Sequence, residues 1–363
     1  MPQVPCSLYP SPSKPPHVLL QVPGDPWTWQ KQAILTGSSL VLIGSLAWVP
    51  ACYVWAYKRW KAVKDKRRKA LYGALMFALT ALFVAGPQRR PWFGKHIGFN
   101  KWKIWHLWCQ FMALEVWKDS RAQLAASAAH EEYKSAQSIT AIVPHGIFPF
   151  SIGLAGIPEV AEKAFGRVRI AIATATNLFP VVRDIVSIVN TVDVSRTAVH
   201  EALTDGARLA LLPGGIPEMF EGYPRQLTHP DDEFAIIPNG FVRMAIQHKI
   251  PLMPVYCFGA TKWFKRVRLP EWLEALSLKL RIGICIFYGA SGLPIPFRQK
   301  AFYIMGDAIQ LPAEIQQSPI DASQEEVMTK ELHQQFCEEL MRMFENNKEV
   351  YGWGHKVLHL VTR

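Results

Sequence analysis

The 25 residues from Ala33 to Tyr57 carry no charge, and a further 19, from Ala70 to Gln88, carry none either. At 1.5 Å per residue the first stretch is long enough to cross a hydrocarbon core of ~30 Å. Between the two lies Lys58–Lys69, with eight Lys or Arg against one acid, Asp65. Basic segments stay on the cytoplasmic side of a bilayer, so a membrane helix pair is a better reading than two core helices. Arg89, Arg90, Lys95, Lys101 and Lys103 follow with no acid before Glu115. A plain hairpin separates these from Lys58–Lys69. The alternative is a single span over 33–57 with a re-entrant or interfacial second stretch.

The balance of charge is +11, which suits either nucleic acid or an anionic membrane face. Thirteen Trp and the placement of the basic residues beside apolar stretches favour the membrane and argue against a nucleic-acid binder. Residues 1–30 are rich in proline and without periodicity, which predicts a mobile leader, and no signal peptide is expected. The domain division is therefore a leader (1–30), a membrane-anchoring segment (31–90) and a third region (91–363). Within that region Trp92, Phe93, Phe99, Trp102, Trp105, Trp108 and Trp117 alternate with Lys and His, which reads as an amphipathic helix on a bilayer surface or, for any one Trp, equally as a plain core helix. The six cysteines are scattered, with no C-x-x-C pair, and predict neither a disulfide framework nor a zinc site.

From Ser138 short apolar runs alternate with helical patterns. Strands are expected at Ser138–Val143, Val168–Thr174, Arg208–Leu212, Leu252–Phe258 and Gly283–Tyr288. Helices are expected at Val181–Val189, Ala198–Leu203 and Gly240–His248. Such alternation predicts an α/β fold with a mostly parallel sheet flanked by helices. Ser323–Lys348 reads as an amphipathic helix with Leu332, Phe336, Leu340 and Phe344 on one face.

His145 ends one of these strands, where ligands bind in open α/β sheets, and Gly146 after it permits close approach. An imidazole is suited to general-base work near neutral pH. Gly214-Gly215, after another strand, offer backbone N–H groups to an oxyanion. Glu218 follows, placed either to orient an imidazole or to pair with an arginine such as Arg225. Asn177, Arg183 and Arg196 lie at the edges of apolar elements, and Arg243 opens a helix. Lys262, Lys265, Arg266 and Arg268, interleaved with Trp263 and Phe264, form either a phosphate-binding cluster or a solvated basic loop.

In this order the blocks resemble the second diacylglycerol acyltransferase family, which also includes monoacylglycerol and wax-ester acyltransferases. They are Pro144-His145-Gly146, Asn177 with Phe179-Pro180 and Arg183, Val194-Ser195-Arg196, and Gly214-Gly215 with Glu218. Gly240-Phe241 with Arg243 and Ala245, and Pro254-Val255 with Phe258-Gly259, complete the set, which covers roughly residues 33–350. The sequence departs from the family pattern at Val143, where a first histidine is usual, and around Pro238-Asn239, where a basic residue is usual. It also lacks the H-x-x-x-x-D of related glycerol-phosphate acyltransferases, since Phe150 holds the fifth place and the first acid is Glu159.

The resemblance implies a glycerolipid-acyltransferase-like fold and an acyl-CoA-dependent O-acyltransferase, foremost a diacylglycerol O-acyltransferase making triacylglycerol. Monoacylglycerol, a fatty alcohol or a sterol stand as alternative acceptors, and a catalytically idle membrane scaffold as an alternative role. His145 would be the base, Glu218 its orienting partner, and amides near Gly146 or Gly214-Gly215 the oxyanion donors. Asn177, Arg183, Arg196, Arg243, Lys262, Lys265 and Arg266 are the expected substrate-binding residues. The expected partners are acyl-CoA as a substrate, diacylglycerol or a related lipid alcohol, and membrane lipids. No cofactor or metal is expected, and homo-oligomerisation stays open. The expected location is the endoplasmic reticulum membrane and lipid droplets, with the catalytic domain cytosolic. No G-x-S-x-G elbow is present, which argues against a serine hydrolase.

Overall fold

The computed structural model describes residues 17–84, 98–121, 126–189, 191–221, 229–312 and 321–362. The strands are β1 (His17–Gln21), β2 (Glu115–Lys118), β3 (Ile139–Val143), β4 (Arg169–Ile172), β5 (Val192–Asp193) and β6 (Leu209–Leu211). They continue with β7 (Glu233–Ile237), β8 (Leu252–Phe258), β9 (Lys265–Arg266), β10 (Phe287–Tyr288), β11 (Phe302–Met305) and β12 (Leu358–Thr362). Eight form one mixed sheet in the order β1-β2-β11-β8-β3-β6-β4-β5. The run β8-β3-β6-β4-β5 is parallel, β11 turns antiparallel to β8, and β1 pairs antiparallel with β2. The expected parallel block is present, with three further strands completing a mixed α/β sheet.

The period-two alternation of β3 builds the core. Ile139, Ala141 and Val143 face one cluster, with β8 and β11 residues and the helices Gly240–His248 and Ala322–Asn347. Ile142 faces the other, with Trp105, Trp108, Phe150 and Ile170. The long C-terminal helix starts at a capping box between Asp321 and Gln324 and buries Leu332, Phe336, Leu340 and Phe344, as its pattern predicts.

Three expectations are corrected. His17–Gln21 belongs to the sheet and not to a mobile leader: Leu20 and Val22 are buried, and β1 is held by β2. The uncharged stretch 33–57 is not one straight helix. It breaks between Trp29–Leu42 and Ser45–Ala62, which meet at 58°. No single described helix is long and apolar enough to cross a membrane, although the bent pair is so by length and composition. Gly44 sits in the break, where a Cβ would run into the carbonyl of Leu40. The third correction concerns the aromatic helix Lys103–Phe111, which presents Trp105 and Trp108 to the core and not to a surface. Trp108 Nε1 donates to Ser38 Oγ (3.2 Å) of the first N-terminal helix, and Ser39 Oγ of that helix donates to the Pro294 carbonyl. The helix Trp29–Leu42 is thereby docked onto the α/β body.

The helices Ser45–Ala62 and Lys66–Val84 pack together, with Trp55 and Tyr72 edge to face at 5.5 Å. The end of the second uncharged stretch, Trp92, Phe93, and the basic residues Arg89, Arg90 and Lys95 lie outside the described residues. The strand expected at Gly283–Tyr288 shrinks to Phe287–Tyr288, paired with β9 in a separate ribbon, while Gly283 borders a cavity.

Candidate active site

At the carboxyl end of β3 the chain turns through Pro144 into His145 and Gly146. Gly146 has φ +69°, and a Cβ there would come within 2.7 Å of the Ala260 carbonyl oxygen, so both backbone shape and space require glycine. His145 borders a cavity of about 230 Å³ between the sheet and the N-terminal helices. Its walls include Phe148, Ile157, Ile172, Val186, Leu42 and Leu46, the last two flanking the break between the bent helices. Among the described residues that line it, His145 carries the one titratable side chain; Thr176 and Thr191 are the polar ones.

The imidazole Nδ1 lies 2.7 Å from the Gly146 carbonyl oxygen. A carbonyl only accepts, so Nδ1 carries the proton and Nε2 keeps its lone pair. Burial lowers the His145 pKa from its ordinary 6.5, partly offset by the Gly146 carbonyl. The ring is therefore held as a neutral base, and its Nε2 has no hydrogen-bond partner among the described residues.

Glu218 makes no hydrogen bond to that ring. It ends the one-turn helix Gly215–Glu218 after β6, and its Oε1 accepts from the backbone N–H of His145. The Gly146 amide bonds to the same carboxylate. Its Oε2 accepts from the Ile236 N–H of β7 at 2.9 Å. Burial pushes the Glu218 carboxyl up to about 7, against the lowering effect of these three amides. Gly214 leaves room for the carboxylate, since a Cβ there would overlap it. The expected contact between Glu218 and the imidazole is thus replaced by one between Glu218 and the loop that carries the imidazole. The Gly146 amide is engaged, and Gly214 and Gly215 are not among the residues lining the cavity, which Ile216 of the same turn reaches. The arginine proposed as an alternative partner, Arg225, lies outside the described residues.

The other expected residues divide. Arg183 is buried on the helix Pro180–Ile188, with Nε 3.2 Å from Asp184, while Val182, Ile185 and Val186 of that helix line the cavity. Asn177 is exposed beside two lining residues, Thr176 and Phe179, and Arg196 is exposed at the start of its helix. Arg243 pairs with Glu325 of the C-terminal helix at 3.1 Å, which makes it a helix-to-helix tie away from the cavity lining. Half of the basic cluster is neutralised. Lys262 and Lys356 share the buried Glu233, and Arg266 pairs with Glu274 at 2.8 Å. Lys265 and Arg268 remain exposed. The apolar cavity walls were missed in the sequence, although Val182, Ile185, Val186 and Val189 recur at helical spacing.

A strand-end histidine with a fixed tautomer beside an apolar cavity is an arrangement suited to acyl transfer. The family model for diacylglycerol acyltransferase matches residues 71–362. The chain belongs to the diacylglycerol acyltransferase family. It is an O-acyltransferase of that family. Acyl-CoA wax alcohol acyltransferase 1 of Mus musculus is 26% identical over 285 residues, 74% of this chain and 78% of that one. Diacylglycerol O-acyltransferase 2-like protein 6 of Bos taurus is 24% identical over 292 residues, with 74% and 78% covered. 2-Acylglycerol O-acyltransferase 1 of Bos taurus is 29% identical over 187 residues, 48% of this chain and 52% of that one. Among solved structures, the 1-acyl-sn-glycerophosphate acyltransferase PlsC of Thermotoga maritima overlaps at TM-score 0.35 and 11% identity, covering 86% of this chain and 97% of that chain. That overlap is too loose to carry weight.

Proposed function

We propose that the protein transfers a fatty acyl group from acyl-CoA to the free hydroxyl of diacylglycerol, with His145 as the general base. The observation that carries this is the imidazole held neutral, Nδ1 to the Gly146 carbonyl, at the wall of an otherwise apolar cavity. Nε2 takes the proton of the acceptor hydroxyl as its oxygen attacks the thioester carbonyl. The tetrahedral oxyanion is met by backbone amides of the turn that carries Gly214 and Gly215 and reaches the cavity at Ile216. Collapse breaks the C–S bond, and the imidazolium returns the proton to the departing CoA thiolate. No acyl-enzyme is required. Glu218 acts through the backbone as a positioning residue, and the retention of this whole arrangement speaks against an idle scaffold.

A lining with Thr176 and Thr191 as its polar residues beside His145 favours acceptors with a single free hydroxyl over a monoacylglycerol with two. Diacylglycerol and a long-chain fatty alcohol both meet that condition. The fatty alcohol is the second reading, supported by the extended match to a wax alcohol acyltransferase.

The site of action that we propose is the endoplasmic reticulum membrane and lipid droplets, with the α/β domain cytosolic. Trp48, Val54 and Trp55 on one N-terminal helix and Leu71, Leu75 and Phe77 on its neighbour are exposed, an arrangement suited to lipid and not to water. Purified protein given labelled acyl-CoA with diacylglycerol, monoacylglycerol or fatty alcohol tests the reading. Triacylglycerol as the main product is expected. A wax ester as the main product moves the assignment to the second reading, and no ester from any acceptor overturns both.

A further inference from the structure

The helix Glu271–Leu280 is turned inside out for a water-exposed element. Its outer face carries Trp272, 66% exposed, and Leu280, 51% exposed, with Leu276 between them. These fall at i, i+4 and i+8, so they form one stripe. Ser277 is fully buried on the inner face, and Glu274 is tied down by Arg266. Ile286 (59% exposed), Val267 and Leu293 extend the apolar surface beyond the helix. Around the patch Lys265, Arg268, Lys279 and Arg281 are exposed, against one exposed acid, Glu271. Exposed Trp and Leu flanked by cations match the headgroup boundary of an anionic bilayer.

The patch is also joined to the cavity. Gly283 and Phe287, just after the helix, line it together with Leu42 and Leu46 of the bent N-terminal pair. The Ser39 hydroxyl of that pair reaches the Pro294 carbonyl on the same side. We infer that Glu271–Ile286 is a second lipid-contact surface, lying on an anionic membrane and bringing the cavity rim to the lipid. It rests on the membrane reading of the N-terminal helices, but uses a different segment.

Hydrogen–deuterium exchange on the full-length protein tests this, with phosphatidylcholine vesicles made with and without phosphatidylserine and flotation of the same samples. Vesicles are expected to slow exchange in 271–286, and phosphatidylserine to slow it further. The triple variant Trp272→Ser, Leu276→Ser, Leu280→Ser should still float yet lose the protection. The variant Lys279→Gln, Arg281→Gln should lose the part that depends on phosphatidylserine. A wild-type protein that floats while 271–286 exchanges as fast as without vesicles overturns this second contact and leaves the N-terminal anchor standing. No flotation at all overturns both. Protection that precedes vesicles and grows with protein concentration assigns the patch to a second copy of the chain, and overturns the lipid contact.

Discussion

The Glu218 carboxylate accepts from the backbone N–H of His145 and forms no hydrogen bond with its imidazole. The acid therefore sets where the loop sits, while the Gly146 carbonyl sets which ring nitrogen is basic. Three amide hydrogen bonds to this buried carboxyl, each worth about 0.5–1.5 kcal/mol, fix the loop position.

Glu218→Gln keeps one carbonyl acceptor and turns the other oxygen into a donor facing an amide. The expected result is a fall in kcat of about ten- to a hundredfold, with little change in KM. The variant also changes stability against pH. Burial raises the folded-state pKa of Glu218 from 4.5 to about 7, so its contribution is full below 4.5 and is lost as pH rises through about 7. Tm measured across that window should fall more in the wild type than in Glu218→Gln. Equal slopes would remove the buried carboxyl from the account of stability.

His145 must be neutral to accept a proton, and burial lowers its pKa below 6.5. Activity should therefore rise with pH along a limb centred below that value, then level off. A profile of kcat against pH in the wild type and in Glu218→Gln separates the two groups, because the variant retains the acid limb. An acid limb centred above 6.5 would contradict the enclosed, neutral imidazole.

Arg243 is bonded to Glu325 and not to the cavity. Arg243→Ala should leave KM for acyl-CoA unchanged and cost about 0.2–1 kcal/mol of stability, as expected for a half-exposed pair. Titration of acyl-CoA against initial rate, beside a thermal melt, checks both. A severalfold rise in KM would restore Arg243 to substrate binding.

Much of this was legible in the residues themselves. Strands β3 and β8 and the helix Gly240–His248 announce themselves by apolar runs between turn residues, and they appear within a residue of the expected bounds. Trp117 lies on strand β2 and not on a helix, and that strand has no apolar run to mark it, because Glu115 and Lys118 stand at its ends. Glu115 is buried against Lys300, and Lys118 is buried with its ammonium on the Gly306 carbonyl. The bend within 33–57 had no sequence signal, because composition cannot reveal a break between two helices. At the site, the order of motifs picks out His145 and Glu218. Which atoms meet depends on how the loops after β3 and β6 approach β7, a tertiary fact with no sequence pattern. Val143, the departure from the family motif, faces the core cluster opposite the cavity side of the sheet.

The most direct measurement is the turnover number of purified His145→Ala beside the wild type, with exchange or thermal melting to show that both are folded. Loss of a general base predicts a fall of about 10²–10⁴-fold in kcat with acyl-CoA still bound. A folded His145→Ala protein that turns over at near the wild-type rate would contradict His145 as the base.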